Sequence, residues 1–255
     1  MNYIGVFQGG GVKGIAHLGA VKALEERGFR AVKTAGSSVG AIMASLLSVG
    51  YMADELKPLI MEMSLPSLKA KSGKKKFLRF FTEKGIYETE PLELYLEQLY
   101  LAKGKRTYRD LKYGGDYNLK VVTTDILKRQ SVIIPDDLKK YQIDPDNFSI
   151  AKSVVMSATY PFFYKPLKLG KSIMMDGAIY NNFPENVYQN ESLPIIGFTF
   201  VKESKNTIVK NNNYIIEIAI PKVATMNYKI SQKTKAELYL AGYVAGQKFL
   251  NKFFK

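Results

Sequence analysis

The stretch Ala35-Gly36-Ser37-Ser38-Val39-Gly40-Ala41 carries Gly-x-Ser-x-Gly with Ser38 at its centre. A β-strand is predicted before it, around Arg30 to Ala35, and "AIMASLLSVG" continues after it as a helix whose faces are nearly all apolar or small. A helix of that composition must be buried. Three specified residues at about 7% each give on the order of 0.1 chance matches in a chain of this length. The flanking strand and helix are what give the motif weight, because a sharp turn between them exposes the serine oxygen and sets backbone N–H groups beside it. Ser37 is the rival hydroxyl, but it lies off the motif's centre and reads as the residue that shapes the turn.

The same pattern recurs upstream. Tyr3 to Phe7 is a short apolar run ending in Gly9-Gly10-Gly11, and from Val12 to Arg27 the residues Ile15, Leu18, Val21 and Leu24 recur every third position, closed by Gly28. That is strand, glycine loop, helix, helix cap. Downstream, "LKVVTTDIL", "QSVIIP", "SIMMDGA", "LPIIGFTFV" and "YIIEIAI" read as strands. "IYETEPLELYLEQLYL", "SIAKSVVMSA" and the C-terminal "KAELYLAGYVAGQKFLNKFFK" read as helices. Strands alternating with helices predict an α/β fold, a three-layer α/β/α sandwich on a mostly parallel sheet. At 255 residues the chain fits one such domain, 1–255.

Composition removes several chemistries. There is no cysteine and a single histidine, His17, so thiolate catalysis, disulfides and a zinc site are not expected. Lys+Arg 37 against Asp+Glu 23 gives +14, a field that attracts anionic surfaces. The N-terminal residues form no signal peptide and no run of about 18 apolar residues occurs, so a cytoplasmic or peripheral protein is expected. Between Lys69 and Lys84 seven basic residues and one acid interleave with Phe77, Leu78, Phe80 and Phe81. This reads as a surface segment or lid.

Gly9, Gly11 and Gly14 also satisfy Gly-x-Gly-x-x-Gly, the dinucleotide fingerprint, which needs an acid roughly 20 positions on. Here the second strand offers Arg30, Lys33 and Thr34 and then enters the Ser38 turn. The alternative is an anion cradle: side-chain-free N–H groups at a helix N-terminus, with Lys13 adding charge.

The chain order Ser, acid, His required by α/β hydrolases cannot be met, because no histidine follows Ser38. His17, upstream, is read as a structural histidine facing the neighbouring helix. A carboxylate with a pKa raised by burial can accept a serine proton instead. Asp176, at the end of the apolar run Ile173-Met174-Met175 and before Gly177, is the preferred base, with Asp125 after "VVTT" its competitor. Asp136, Asp137, Asp144 and Asp146 lie in polar loops and read as turn residues.

With these residues assembled the sequence resembles the patatin-like phospholipases. "GGGVKG" is similar to that family's glycine-rich oxyanion motif, "GSSVG" to its nucleophile elbow, "SATYPFFYKP" to the stretch before its base, and "DGA" to its Asp-Gly-Gly/Ala motif, in the same order. The resemblance spans about Ile4 to Pro184; the C-terminal strands and basic helix, 193–255, lie beyond it. It implies a fold related to α/β hydrolases and a lipid acyl hydrolase of phospholipase A or lysophospholipase type, with no metal or cofactor. Ser38 would be the nucleophile, Asp176 the base, and Gly10 and Gly11, with Gly9, the oxyanion donors. Lys13 stands where many members carry Arg, Gln8 where plant members carry Asp, and Ala178 where a second Gly is commoner. The implied partner is a phospholipid or other acyl-ester lipid, and the charge adds an anionic membrane surface; segments 69–84 and 248–255 read either as interfacial segments or as solvated basic faces over a core-packing stripe. The competing reading is a catalytically silent basic protein that binds membrane or nucleic acid on the same scaffold; no nucleic-acid module accompanies the basic segments.

Overall fold

The computed structural model describes residues 1–62, 88–161, 163–203, 208–210, 213–220 and 230–254. The basic segment Lys69 to Lys84 lies outside the described residues. The strands are β1 (Asn2–Phe7), β2 (Arg30–Ser37), β3 (Lys112–Tyr113), β4 (Asp116–Tyr117), β5 (Leu119–Asp125), β6 (Gln130–Ile134), β7 (Leu167–Leu169), β8 (Ser172–Asp176), β9 (Ile195–Val201), β10 (Ile208–Lys210) and β11 (Asn213–Ala219). The helices are α1 (Ile15–Glu26), α2 (Val39–Ser48), α3 (Ala53–Glu62), α4 (Glu90–Ala102), α5 (Ile150–Ala158) and α6 (Gln232–Phe253).

Five strands run parallel in the order β11, β9, β1, β2, β5. Antiparallel neighbours extend them: β10 on β11, β6 and β8 on β5, and β7 on β8. The result is a mixed, mostly parallel central sheet with flanking helices, the three-layer α/β/α arrangement. Alternation along β1 divides the core: Tyr3 and Phe7 join the large cluster built with α1, α2 and α6, while Ile4 and Val6 join Ala35, Tyr188 and Ile195 in a smaller one. Both clusters are closed to solvent.

The register of β5 decides where the ends of two other strands meet. β6 occupies one edge of β5 from Val121 to Asp125. On the opposite edge β2 pairs as far as Ser37 with Val122, and β8 then takes over with Asp176 opposite Thr123. β2 and β8 therefore share one lane of the sheet, running toward each other. Their C-terminal ends abut.

The C-terminal helix begins slightly earlier than its apolar pattern suggested, because the Ser231 hydroxyl caps it by accepting the Thr234 N–H at 3.1 Å. It packs on α1 through a glycine seam: a Cβ on Gly19 would stand 1.9 Å from the Tyr239 carbonyl oxygen, and one on Gly242 1.8 Å from that of Ala16. Phe249 and Leu250 are buried and Phe254 lies edge-on to Phe29 at 5.0 Å. The aromatics of segment 248–255 thus serve the core rather than presenting an apolar face outward. No described helix is long and apolar enough to cross a membrane.

Candidate active site

Ser38 sits at the end of β2 with φ 54 and ψ −126, a conformation that a residue with a side chain adopts at a cost of about 1–3 kcal/mol. The surrounding contacts hold it there. A Cβ on Gly36 would stand 2.3 Å from the carbonyl of Gly40, and one on Gly40 2.2 Å from the Phe7 carbonyl oxygen. Both glycines of the motif are required by close approach: strand, turn and helix touch backbone to backbone. Ser38 does not cap α2 with its side chain. Its Oγ donates instead to Asp176 Oδ2 at 2.7 Å.

Asp176 arrives through the shared lane of β2 and β8 and is fully buried. Its Oδ1 accepts the Ala178 N–H at 2.8 Å, and its own N–H donates to the Thr159 carbonyl at 3.0 Å. Burial raises its pKa from 3.8 to about 6, against the lowering effect of the hydrogen bonds from Ser38 and Ala178. Such a carboxylate is ionised at neutral pH yet a better proton acceptor than an exposed one. Asp125 occupies a different environment. Its Oδ1 accepts the N–H groups of Leu127 and Lys128 and its Oδ2 the Tyr141 hydroxyl. Burial would raise its pKa, but hydrogen bonds from Ser172, Lys128, Tyr141 and Leu127 outweigh it and hold the carboxyl below the usual range. It closes the β5–β6 turn and does not meet Ser38.

The glycine loop follows β1 and lies against the same turn. A Cβ on Gly9 would stand 3.2 Å from the Ser38 Cβ, and one on Gly14 2.3 Å from Val39 Cγ2. Gly11 adopts φ 55 and opens the single 3-10 turn Gly11–Gly14 that leads into α1. Gly10 and Gly11 donate to no described residue. Gly9 departs from expectation: its N–H already donates to the Asn182 carbonyl at 3.0 Å, so it is spent as a donor. Lys13 is half-buried in the 3-10 turn, its N–H bonded to the Gly10 carbonyl.

His17 is buried, but it faces the sheet and not the neighbouring helix. Its ring stacks on Phe200 at 4.4 Å and meets Phe7 edge-on, while Nε2 bonds to the Gln8 carbonyl at 2.8 Å. Burial lowers its pKa to about 4, so the ring is neutral under ordinary conditions. One contributor went unassigned in the sequence. Ser157, in the "SATYPFF" stretch, accepts the Ser38 N–H at 2.8 Å and donates to the Val122 carbonyl at 2.5 Å. The turn is thereby pinned to β5.

Ser38 also lines a cavity of about 120 Å³. Its walls are Ile42, Met43 and Leu46 of α2, Leu56, Leu59 and Ile60 of α3, and Leu92, Leu96 and Leu99 of α4. The Tyr51 hydroxyl, just past the C-terminus of α2, bonds to the Leu99 carbonyl at 2.9 Å. The cavity therefore follows α2 away from Ser38, and Leu46 lies about 12 Å along it at 1.5 Å per residue.

A strained serine between a strand and a helix, hydrogen-bonded to a strand-end carboxylate beside an apolar cavity, defines an α/β protein of the serine-turn class. The model of the patatin-like phospholipase family matches residues 5–187, and the chain belongs to that family. Membership supports lipid hydrolysis as its class of activity. The chain is 34% identical over 225 residues to the uncharacterized protein YqhO of Bacillus subtilis, covering 84% of this chain and 76% of YqhO. It is 27% identical to the probable lipid hydrolase 463L of Invertebrate iridescent virus 6, over 71% of this chain and 61% of that protein's length. VipD from Legionella pneumophila shares the fold, with a TM-score of 0.66 at 19% identity over 98% of this chain and 67% of VipD.

Proposed function

We propose that the protein is a serine acyl hydrolase of lipids, of phospholipase A or lysophospholipase type, working with a Ser38–Asp176 dyad. Ser38 Oγ attacks the ester carbonyl as Asp176 takes its proton. The Gly10 and Gly11 N–H groups hold the developing oxyanion, with the positive end of the following helix behind them. Asp176 returns the proton to the leaving alcohol, and a water, deprotonated by Asp176, releases the acyl group from Ser38 as a carboxylic acid. Lys13 contributes positive charge near the loop. The observation that carries this reading is the 2.7 Å Ser38 Oγ to Asp176 Oδ2 hydrogen bond, with Ser38 lining an apolar cavity. The net charge of +14 supports work at an anionic lipid surface, as a cytoplasmic or peripheral protein.

A panel of phospholipids, lysophospholipids and neutral acyl esters, with released fatty acid as readout, tests the reading. Wild-type protein that cleaves none of them and is not labelled by a fluorophosphonate points to the silent lipid-binding alternative. Two further outcomes are expected. The kcat/KM for ester cleavage falls about tenfold per pH unit below about 6, because the Asp176 carboxyl is protonated there; a profile flat from pH 7 to 4.5 excludes Asp176 as base. Leu46→Trp blocks the cavity along α2, so activity on a 16-carbon ester drops about tenfold or more while a 4-carbon ester is cleaved within about threefold of wild type. Equal losses on both esters would place the acyl chain elsewhere.

A further inference from the structure

Three consecutive glycines form the most pliant backbone a protein can use. An oxyanion site works only if its N–H groups are already aimed when charge develops. Something outside the loop must therefore hold it. The peptide unit between Gln8 and Gly9, which leads into Gly10 and Gly11, is gripped at both ends. Its carbonyl accepts His17 Nε2–H at 2.8 Å, and its N–H donates to the Asn182 carbonyl at 3.0 Å. Gln8 is fixed further by its N–H on the Phe198 carbonyl and by its side-chain Oε1, which accepts the Phe200 N–H at 2.7 Å. The Phe200 ring then fills the space between His17 and the loop. It stacks on His17, and a Cβ on Gly10 would stand 2.6 Å from it.

We propose that His17 is a positioning residue: through the Gln8–Gly9 peptide and the Phe200 ring it fixes the direction of the Gly10 and Gly11 N–H groups. The inference rests on the hydrolase reading above. Its physical signature is that His17 Nδ1 is buried and has no hydrogen-bond partner among the described residues. An unpaired buried polar atom costs stability, and an apolar ring would fill the same aromatic slot without that cost. What the imidazole adds is one N–H aimed at the peptide before the loop. Asn182, on the turn that follows Asp176, supplies the second grip, so base and oxyanion loop share one anchor.

The test uses His17→Phe, which keeps the ring stack and loses the donor, and His17→Gln, which restores an N–H at similar reach. His17→Leu serves the same purpose as the Phe variant should the latter not fold. Expected for His17→Phe are a kcat lower by about tenfold to a hundredfold, KM within about threefold, and a Tm within a few degrees of wild type. His17→Gln recovers most of the loss. The Ki of a trifluoromethyl ketone, which forms an oxyanion on the serine, weakens in step with kcat/KM, whereas product fatty acid binds unchanged. His17→Phe with wild-type kcat and Ki, in an active wild-type background, overturns this inference alone. A wild type that neither cleaves esters nor binds the ketone overturns the hydrolase reading and this inference with it.

Discussion

Replacing Ser38 by Ala is expected to reduce ester hydrolysis by on the order of 10⁵-fold or more, to the background left by binding and the oxyanion loop. The fold should survive, since the Ser38 side chain makes no helix-capping bond whose loss would fray α2. Alanine also tolerates the positive φ no worse than serine does. Ser37→Ala is the matched control. The Ser37 hydroxyl is buried without a partner among the described residues, and removing it is expected to leave activity within about threefold and stability equal or slightly higher. Fluorophosphonate labelling followed by intact mass reads both variants: label lost in Ser38→Ala and kept in Ser37→Ala. Label retained in Ser38→Ala would assign the nucleophile to another residue.

Asp176→Asn is expected to lower kcat by about 10⁴-fold, comparable to neutralising the carboxylate of a catalytic triad, and to make the protein more stable at neutral pH. Asparagine keeps both local contacts, accepting from the Ala178 N–H and donating to Ser38 Oγ. It removes the buried charge. With a folded-state pKa near 6 against an ordinary 3.8, the folded state binds the extra proton between those values. Stability contributed by the protonated group is complete below about pH 4 and is lost as pH rises through 6. Above that, the carboxylate costs about 3 kcal/mol. The variant should therefore gain several degrees in Tm at pH 7.5 and converge with wild type near pH 4. A neutral-pH Tm lower than wild type would mean that the carboxylate stabilises the fold, contrary to its buried setting. Asp125→Asn should behave oppositely, losing stability at neutral pH because its carboxylate is held by four hydrogen bonds.

Much of the site was legible in the chain because its parts are backbone devices. Gly36 and Gly40 flank Ser38 wherever strand, turn and helix come within contact distance, and the requirement for no side chain writes itself as a motif. The apolar run before Asp176 likewise marks a buried strand end. His17 was legible only in part. A lone histidine in an apolar helix reads as buried, but its partner could not be chosen from the sequence, and it faces the sheet rather than the expected helix. Gly9 belongs to the loop as read, yet its N–H is spent on Asn182, a contact made across 173 residues of chain. Ser157 gave no signal of its own role, since a small hydroxyl in a buried helix is commonplace.

The sequence by itself determined the α/β class, the sharp turn that carries Ser38, the pairing of that turn with a glycine loop, and the expectation that the partner of Ser38 is a carboxylate rather than a histidine. Those follow from local sterics, from periodicity, and from the count of titratable residues. Only the tertiary structure decided that Asp176 and not Asp125 reaches Ser38. Both end apolar strands, and they are distinguished by register: β8 continues the lane that β2 vacates beside β5, so the two chain ends meet, whereas Asp125 is carried past them into the β5–β6 turn. Which distant strands share an edge of β5, and where one ends and the other begins, depends on pairings between segments far apart in the chain, which the pattern within either strand does not specify.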